Sequence, residues 1–236
     1  MQERLSAIQA RIRAACSRSG RDVTEIRLVW VCKNHLQKEL LEAHAAGARL
    51  FGENRVQEIL EKFPLPPDPV TGLPLDYELH LIGHLQTNKV RKVLPLCTTI
   101  HSVGSADLWE TAARVAAELN LKRDVFLQVN TSRELQKSGF SVEGLMEKLE
   151  KLPLASHLRL IGLMTMGPAD GNPEVTRSCF RELRGLLHSL RQHLAIRSHF
   201  PDLNFLSMGM SSDFEIAVEE GAHFLRIGTA LFGERS

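Results

Sequence analysis

The chain has 236 residues, of which 43% are hydrophobic and 24% charged, with a net charge of +1. That balance describes a globular protein with a sizeable core, and it gives no electrostatic footprint for nucleic acid or an acidic membrane surface. Four scattered cysteines without a CxxC pair leave no disulfide framework or cysteine metal centre, which suits a reducing compartment, and no apolar run is long enough to cross a bilayer.

From the N-terminus, MQERLSAIQARIRAACSRSG sets Leu5, Ile8, Ile12 and Ala15 at helical spacing and closes on Gly20. The pattern predicts an amphipathic helix with a glycine cap, not a signal or transit peptide, so a cytoplasmic protein is expected. Short apolar strands follow at 26–31, 48–51, 77–82, 98–102, 124–129, 158–164, 203–207 and 223–227, separated by amphipathic helical stretches. Gly47 and Gly221 fall where helix C-caps are expected, and a proline-rich insertion at 64–76 reads as a surface loop. Strand–helix alternation implies a parallel sheet with right-handed crossovers. Eight strands close a (β/α)8 barrel, here one domain over 1–236 with an additional N-terminal helix. A doubly wound open sheet is the alternative, weakened because no GxGxxG follows any strand.

In a barrel, the loops after the strands carry the chemistry. Lys33 ends the first apolar run, RLVWVCKN. It reads either as a solvated lysine leaving the strand or as a neutral amine, favoured by a low-dielectric mouth, that meets a carbonyl. After the seventh strand, Ser211 or Ser212 precedes a helix, and Ser212 with Glu215 has capping-box spacing. After the eighth, Gly228 and Thr229 open a short segment with free N–H groups. These are ordinary caps or, together, an anion site of the kind barrels place there. With Lys33 they describe a ligand with a carbonyl at one end and a phosphate at the other. His80 and His84 lie too far apart on a strand to share zinc, and no metal site is expected. Cys32 reads as packed, and Lys89, Arg91 and Lys92 as a solvated helix face.

Taken together, VCKN, FGENRVQE, HLIGHLQTNK, HSV, QVNTSRELQKSGF, GLMTMG and LSMGMSSDFEIAVEEGAHFLRIGTALFGER resemble the pyridoxal-phosphate homeostasis proteins, the proline-synthase co-transcribed family. The resemblance implies a barrel like the N-terminal domain of alanine racemase, and pyridoxal 5'-phosphate (PLP) as cofactor. It implies that Lys33 holds PLP as a Schiff base, that Ser211, Gly228 and Thr229 hold the phosphate, that Asn54 lines the pocket and that Arg226 faces the pyridine nitrogen. Lys137 matches a second family lysine outside the main site. The sequence departs from the family at Trp30 and Cys32 before Lys33, at Asn34, His35 and Leu36 after it, and in SRELQKSG, which lacks a glycine and paired glutamates.

The implied role is to store, buffer or deliver PLP with little or no turnover. The expected partners are PLP and PLP-dependent apo-enzymes as recipients, with no nucleic acid or membrane, and the chain is read as a monomer. The only tyrosine, Tyr77, falls at the start of a strand, at the wrong end of the barrel for a racemase's second base. Two alternatives remain: a PLP-dependent racemase of restricted substrate range, and a barrel enzyme forming a Schiff base with a phosphorylated sugar.

Overall fold

Every strand of the sheet runs parallel to its neighbours in the computed structural model, which describes residues 1–63 and 76–233. The strands are β1 (Arg27–Val31), β2 (Leu50–Glu53), β3 (Glu78–Leu81), β4 (Thr99–Val103), β5 (Arg123–Asn130), β6 (Phe140–Ser141), β7 (Leu158–Met164), β8 (Phe205–Ser207) and β9 (Phe224–Ile227). The helices are α1 (Gln2–Ser19), α2 (Gln37–Ala45), α3 (Val56–Lys62), α4 (Val90–Val93), α5 (Ala106–Glu118), α6 (Leu145–Lys151), α7 (Pro173–Gln192), α8 (Leu194–His199), α9 (Phe214–Glu219) and α10 (Thr229–Phe232). The order β4-β3-β2-β1-β9-β8-β7-β5 closes on itself through β4–β5, with the two-residue β6 paired on β5. That closure is the expected barrel and rules out an open doubly wound sheet.

Period-2 alternation sorts the strand residues into two cores. Val29, Val31, Ile82, Phe126, Ile161, Met164 and Phe224 fill the barrel interior, while Trp30, Cys32, Phe51, Leu79 and Leu81 pack outward against the helices. Each fully buried Phe or Leu contributes about 1.5–3 kcal/mol. Helix α1 forms over the expected stripe, burying Leu5, Ile8, Ile12 and Ala15, and Gly20 caps it at φ +66° with its N–H on the Cys16 carbonyl. The helix lies against α9 and α10, where Arg11 pairs with Glu215, Arg18 with Glu219, and Arg4 donates to the Phe232 carbonyl.

The sequence reading and the structure part in several places. The second strand begins and ends two residues later than its apolar run, because Gly52 and the buried Glu53 belong to it. The helical pattern at 173–194 ends two residues early, at Gln192, and a short helix that the sequence reading did not include, α8, follows from Leu194. The helix after β8 starts at Phe214, so the Ser212–Glu215 capping box does not form; Asp213 instead accepts the Met210 N–H at 2.5 Å, and Glu215 faces Arg11. The proline-rich insertion, Asp76 excepted, lies outside the described residues.

Candidate functional site

Strand register decides which polar side chains meet at the C-terminal rim. Val31 is level with Gly52 on one side of β1, and Trp30 with Ile227 on the other. Extending the ladders sets Lys33 beside Asn54 and brings Gly228 against Val31; a Cβ on Gly228 would stand 3.0 Å from the Val31 carbonyl oxygen. Val29 and Val31 point inward, so the same alternation aims position 33 at the mouth. Gly83, after β3, passes so near Asn54 that a Cβ there would come within 2.2 Å of the Asn54 carbonyl oxygen.

Lys33 is exposed at the rim and has no hydrogen-bond or ion-pair partner among the described residues, so the protein does not bury it as the low-dielectric reading expected. Its backbone, by contrast, is held on both sides. Lys62 Nζ donates to the Cys32 carbonyl at 2.8 Å, to Glu53 Oε1 at 2.7 Å and to Glu58 Oε2 at 2.7 Å. The Asn34 N–H donates to the same Glu58 oxygen at 2.6 Å, in a turn where Asn34 takes φ +60°. His35 stacks on Phe232 of α10 with ring centroids 4.3 Å apart. Burial pushes the Glu53 carboxyl up despite Lys62, whereas the two carboxylates outweigh burial and push Lys62 up. Cys32 is packed as expected; it donates to the Gly52 carbonyl, and burial, then Glu53, drives its thiol well up.

Arg226, on β9, is buried and points into the barrel. Its guanidinium donates to Ser207 Oγ at 2.6 Å and to the Thr165 carbonyl at 2.8 Å, so two of its five N–H groups are spent. Burial pulls its pKa down to about 10, with Asp213 opposing. Ser207 Oγ lies 2.8 Å from His101 Nδ1, and His101 Nε2 lies 2.8 Å from His80 Nδ1. Ser211, half-buried after β8, accepts the Ala230 N–H at 3.3 Å and so ties that loop to the first turn of α10, where Gly228 is half-buried and Thr229 exposed. The six expected site residues, Lys33, Asn54, Ser211, Arg226, Gly228 and Thr229, therefore share one end of the barrel.

Lys137 is no loose surface lysine. It donates to the Gly167 carbonyl at 2.6 Å and pairs with Glu134, bridging the segments after β5 and β7. His84 is exposed while His80 is buried, and no cluster able to hold a metal occurs among the described residues. A recess of about 660 Å³ borders the mouth at His84, Gln86, Asn88, Ser102 and Ser105. A larger one, about 760 Å³, opens at the opposite end of the strands around Glu78, Arg123, Asp124 and Arg159, where Arg159 is engaged by Asp124.

Sequence reasoning missed Glu53, Glu58, Lys62, Ser207, His80 and His101 as parts of the site. Glu58 and Lys62 carried an i, i+4 signal within and just after FGENRVQE; the histidines carried only an inward phase on their strands.

The family described as the alanine racemase N-terminal domain matches residues 4–236. A pyridoxal phosphate homeostasis protein of Aquifex aeolicus is 40% identical over 233 residues, covering 99% of this chain and 97% of its own length. The human protein of the same name is 36% identical, with 98% and 85% covered. PipY of Synechococcus elongatus, solved with PLP bound, superposes with a TM-score of 0.80 at 36% identity, over 98% of this chain and 99% of that one. An alanine racemase of Clostridium difficile shares the fold at 14% identity and a TM-score of 0.70; this chain spans 56% of its length.

Proposed function

Because the chain belongs to the pyridoxal phosphate homeostasis proteins, built on the fold of the alanine racemase N-terminal domain, we propose that it binds PLP at the C-terminal mouth of its barrel and serves intracellular PLP homeostasis. The observation that carries the reading is the donor set at that mouth. A primary amine, a buried guanidinium, and a hydroxyl tied to the start of α10 stand on three adjoining parts of one end of the barrel. These match an aldehyde, a pyridine nitrogen and a phosphate in turn.

PLP, when bound, supplies an aldehyde that condenses with a primary amine and a ring that withdraws electrons. Lys33 offers that amine from a loop fixed by Lys62 and Glu58. The Ser211 hydroxyl and the N–H groups of Gly228 and Thr229 would hold the phosphate, and Asn54 would line the adjoining wall. Arg226 would donate to the ring nitrogen and, as a guanidinium that does not give up its proton in proteins, would leave that nitrogen unprotonated. Such a ring is a poorer electron sink than one facing an acid, which suits holding the cofactor over turning substrate with it.

A racemase needs a second base across the ring from Lys33. The single tyrosine, Tyr77, packs with Phe51 and Phe63 just ahead of β3, in the outward layer at the far end of the barrel. We place the protein as a monomer in the cytoplasm, passing PLP to apo-enzymes. The four buried, unpaired cysteines support a reducing compartment, and no helix among the described residues is long and apolar enough to cross a membrane. The test is to titrate the purified protein with PLP and to incubate the loaded form with alanine and other common amino acids. The expected result is saturable, coloured binding that Lys33→Ala abolishes or leaves weak, with no racemisation by chiral chromatography. Steady conversion above the Lys33→Ala control points to the restricted racemase instead.

A further inference from the structure

Barrel interiors are usually filled by layers of apolar side chains. This one carries a line of polar groups through its centre. His80 Nδ1 lies 2.8 Å from His101 Nε2, His101 Nδ1 lies 2.8 Å from Ser207 Oγ, and Ser207 Oγ accepts from Arg226 at 2.6 Å. All four side chains are nearly sealed from solvent. His101 is clasped by Phe126, stacked at 4.4 Å, and by the edge of Phe224 at 5.7 Å. At the far end, His80 Nε2 has no hydrogen-bond partner and stands 3.6 Å from Glu78 Oε2, which opens on the recess opposite the mouth.

The proton arrangement follows from both ends. Arg226 can only donate, so Ser207 Oγ receives its N–H and must spend its own hydrogen elsewhere. The one acceptor in reach is His101 Nδ1. His101 then carries its hydrogen on Nε2 and gives it to His80 Nδ1. His80 in turn carries its hydrogen on Nε2, directed at the Glu78 carboxylate. The opposite arrangement strands the serine hydrogen without an acceptor in a buried site and turns an imidazole lone pair toward a carboxylate, both unfavourable. Burial pulls the pKa of both imidazoles down, so each holds one proton, as the chain requires.

We propose that His80, His101 and Ser207 form a one-way hydrogen-bond chain, oriented at its far end by the charge of the Glu78 carboxylate, that fixes the Arg226 guanidinium as a donor toward the mouth and so sets the electronic state of the bound pyridine ring. The proposal rests on the reading that PLP binds with Arg226 at its ring nitrogen. His101 and Ser207 touch no cofactor; they are positioning residues acting through Arg226. Without them Arg226 keeps only the Thr165 carbonyl and turns away from the ring, while the amine and phosphate contacts remain.

The experiment compares PLP-loaded wild type with Arg226→Gln, His101→Leu, Ser207→Ala and His101→Asn by absorption spectrum, with borohydride-fixed PLP on Lys33 as the measure of loading. Arg226→Gln shifts the bound-PLP band. His101→Leu and Ser207→Ala shift it in the same direction by at least half as much, with loading unchanged, and His101→Asn, whose amide reaches the Nδ1 position, returns it to wild type. Wild-type bands in His101→Leu and Ser207→Ala, alongside a shifted Arg226→Gln, overturn the chain and leave the PLP reading standing. An unshifted Arg226→Gln overturns the role of Arg226 and the chain with it. If the core variants do not fold, nitrogen-15 spectra of the wild-type imidazoles decide: Nε2–H on both His80 and His101 is expected, and Nδ1–H on His101 refutes the proposal.

Discussion

Replacing Lys62 with Met removes the cation that joins Glu53, Glu58 and the Cys32 carbonyl while keeping the length of the apolar stem. The Glu53 side chain is fully buried, and those of Lys62 and Glu58 are 12% and 13% exposed. Taking one partner from a buried ion pair costs about 3–5 kcal/mol, because the other charge stays behind without compensation. Burial already pushes the Glu53 carboxyl up, so it takes a proton in the variant, and the loss settles near the lower bound, at about 3 kcal/mol. For a chain of this size that lowers the melting temperature by about 6–12 °C. Lys62→Met/Glu53→Gln recovers part of the loss, since the stranded carboxyl is gone. The Cys32 carbonyl is released as well, so the loop carrying Lys33 loosens and capture of PLP slows. Calorimetry of the three proteins, with stopped-flow mixing against PLP, reads both effects. A drop below about 1 kcal/mol, the value of an exposed pair, refutes the reasoning.

Two further outcomes follow from the same geometry. His223 accepts the Leu206 N–H at 3.1 Å on Nδ1, and burial holds its pKa down to about 4, against 6.5 ordinarily. Above 6.5 neither state is protonated; below it the unfolded chain binds a proton that the folded chain refuses, so stability falls as pH drops from 6.5 toward 4, and His223→Gln flattens the fall in thermal melts. A wild-type slope in that variant contradicts the assignment. Gly209 sits at φ +95°, where a Cβ would meet the Ala217 Cβ at 2.5 Å, and its carbonyl accepts the Arg226 N–H. Gly209→Ala therefore costs about 2–4 kcal/mol and weakens PLP binding by moving the loop that carries Ser211; unchanged melting shows that the loop yields freely.

Much of this architecture is local and was legible. The strand at 158–164 agrees to the residue, since Leu160 to Met164 is an apolar run buried throughout and Leu158 is buried ahead of the exposed Arg159. The strand at 48–51 slipped by two because Glu53 looks like a loop residue until Lys62, nine residues on, neutralises it in the core. The short helix α8 buries only Ile196, too little periodicity to read as a helix of its own. In the site, Lys33 and Arg226 end strands within recognisable motifs. His80 and His101 stand 21 residues apart, and Ser207 lies 106 beyond His101, so only closure of the barrel brings them into one line.

The residue proposed to hold PLP is Lys33. Borohydride reduction of the loaded protein, followed by peptide mass spectrometry, tests it most directly. One phosphopyridoxyl group is expected on the peptide containing Lys33, with Lys137 unmodified because its amine is engaged by Glu134 and the Gly167 carbonyl. An adduct on Lys137 or any other lysine, with Lys33 untouched, contradicts it.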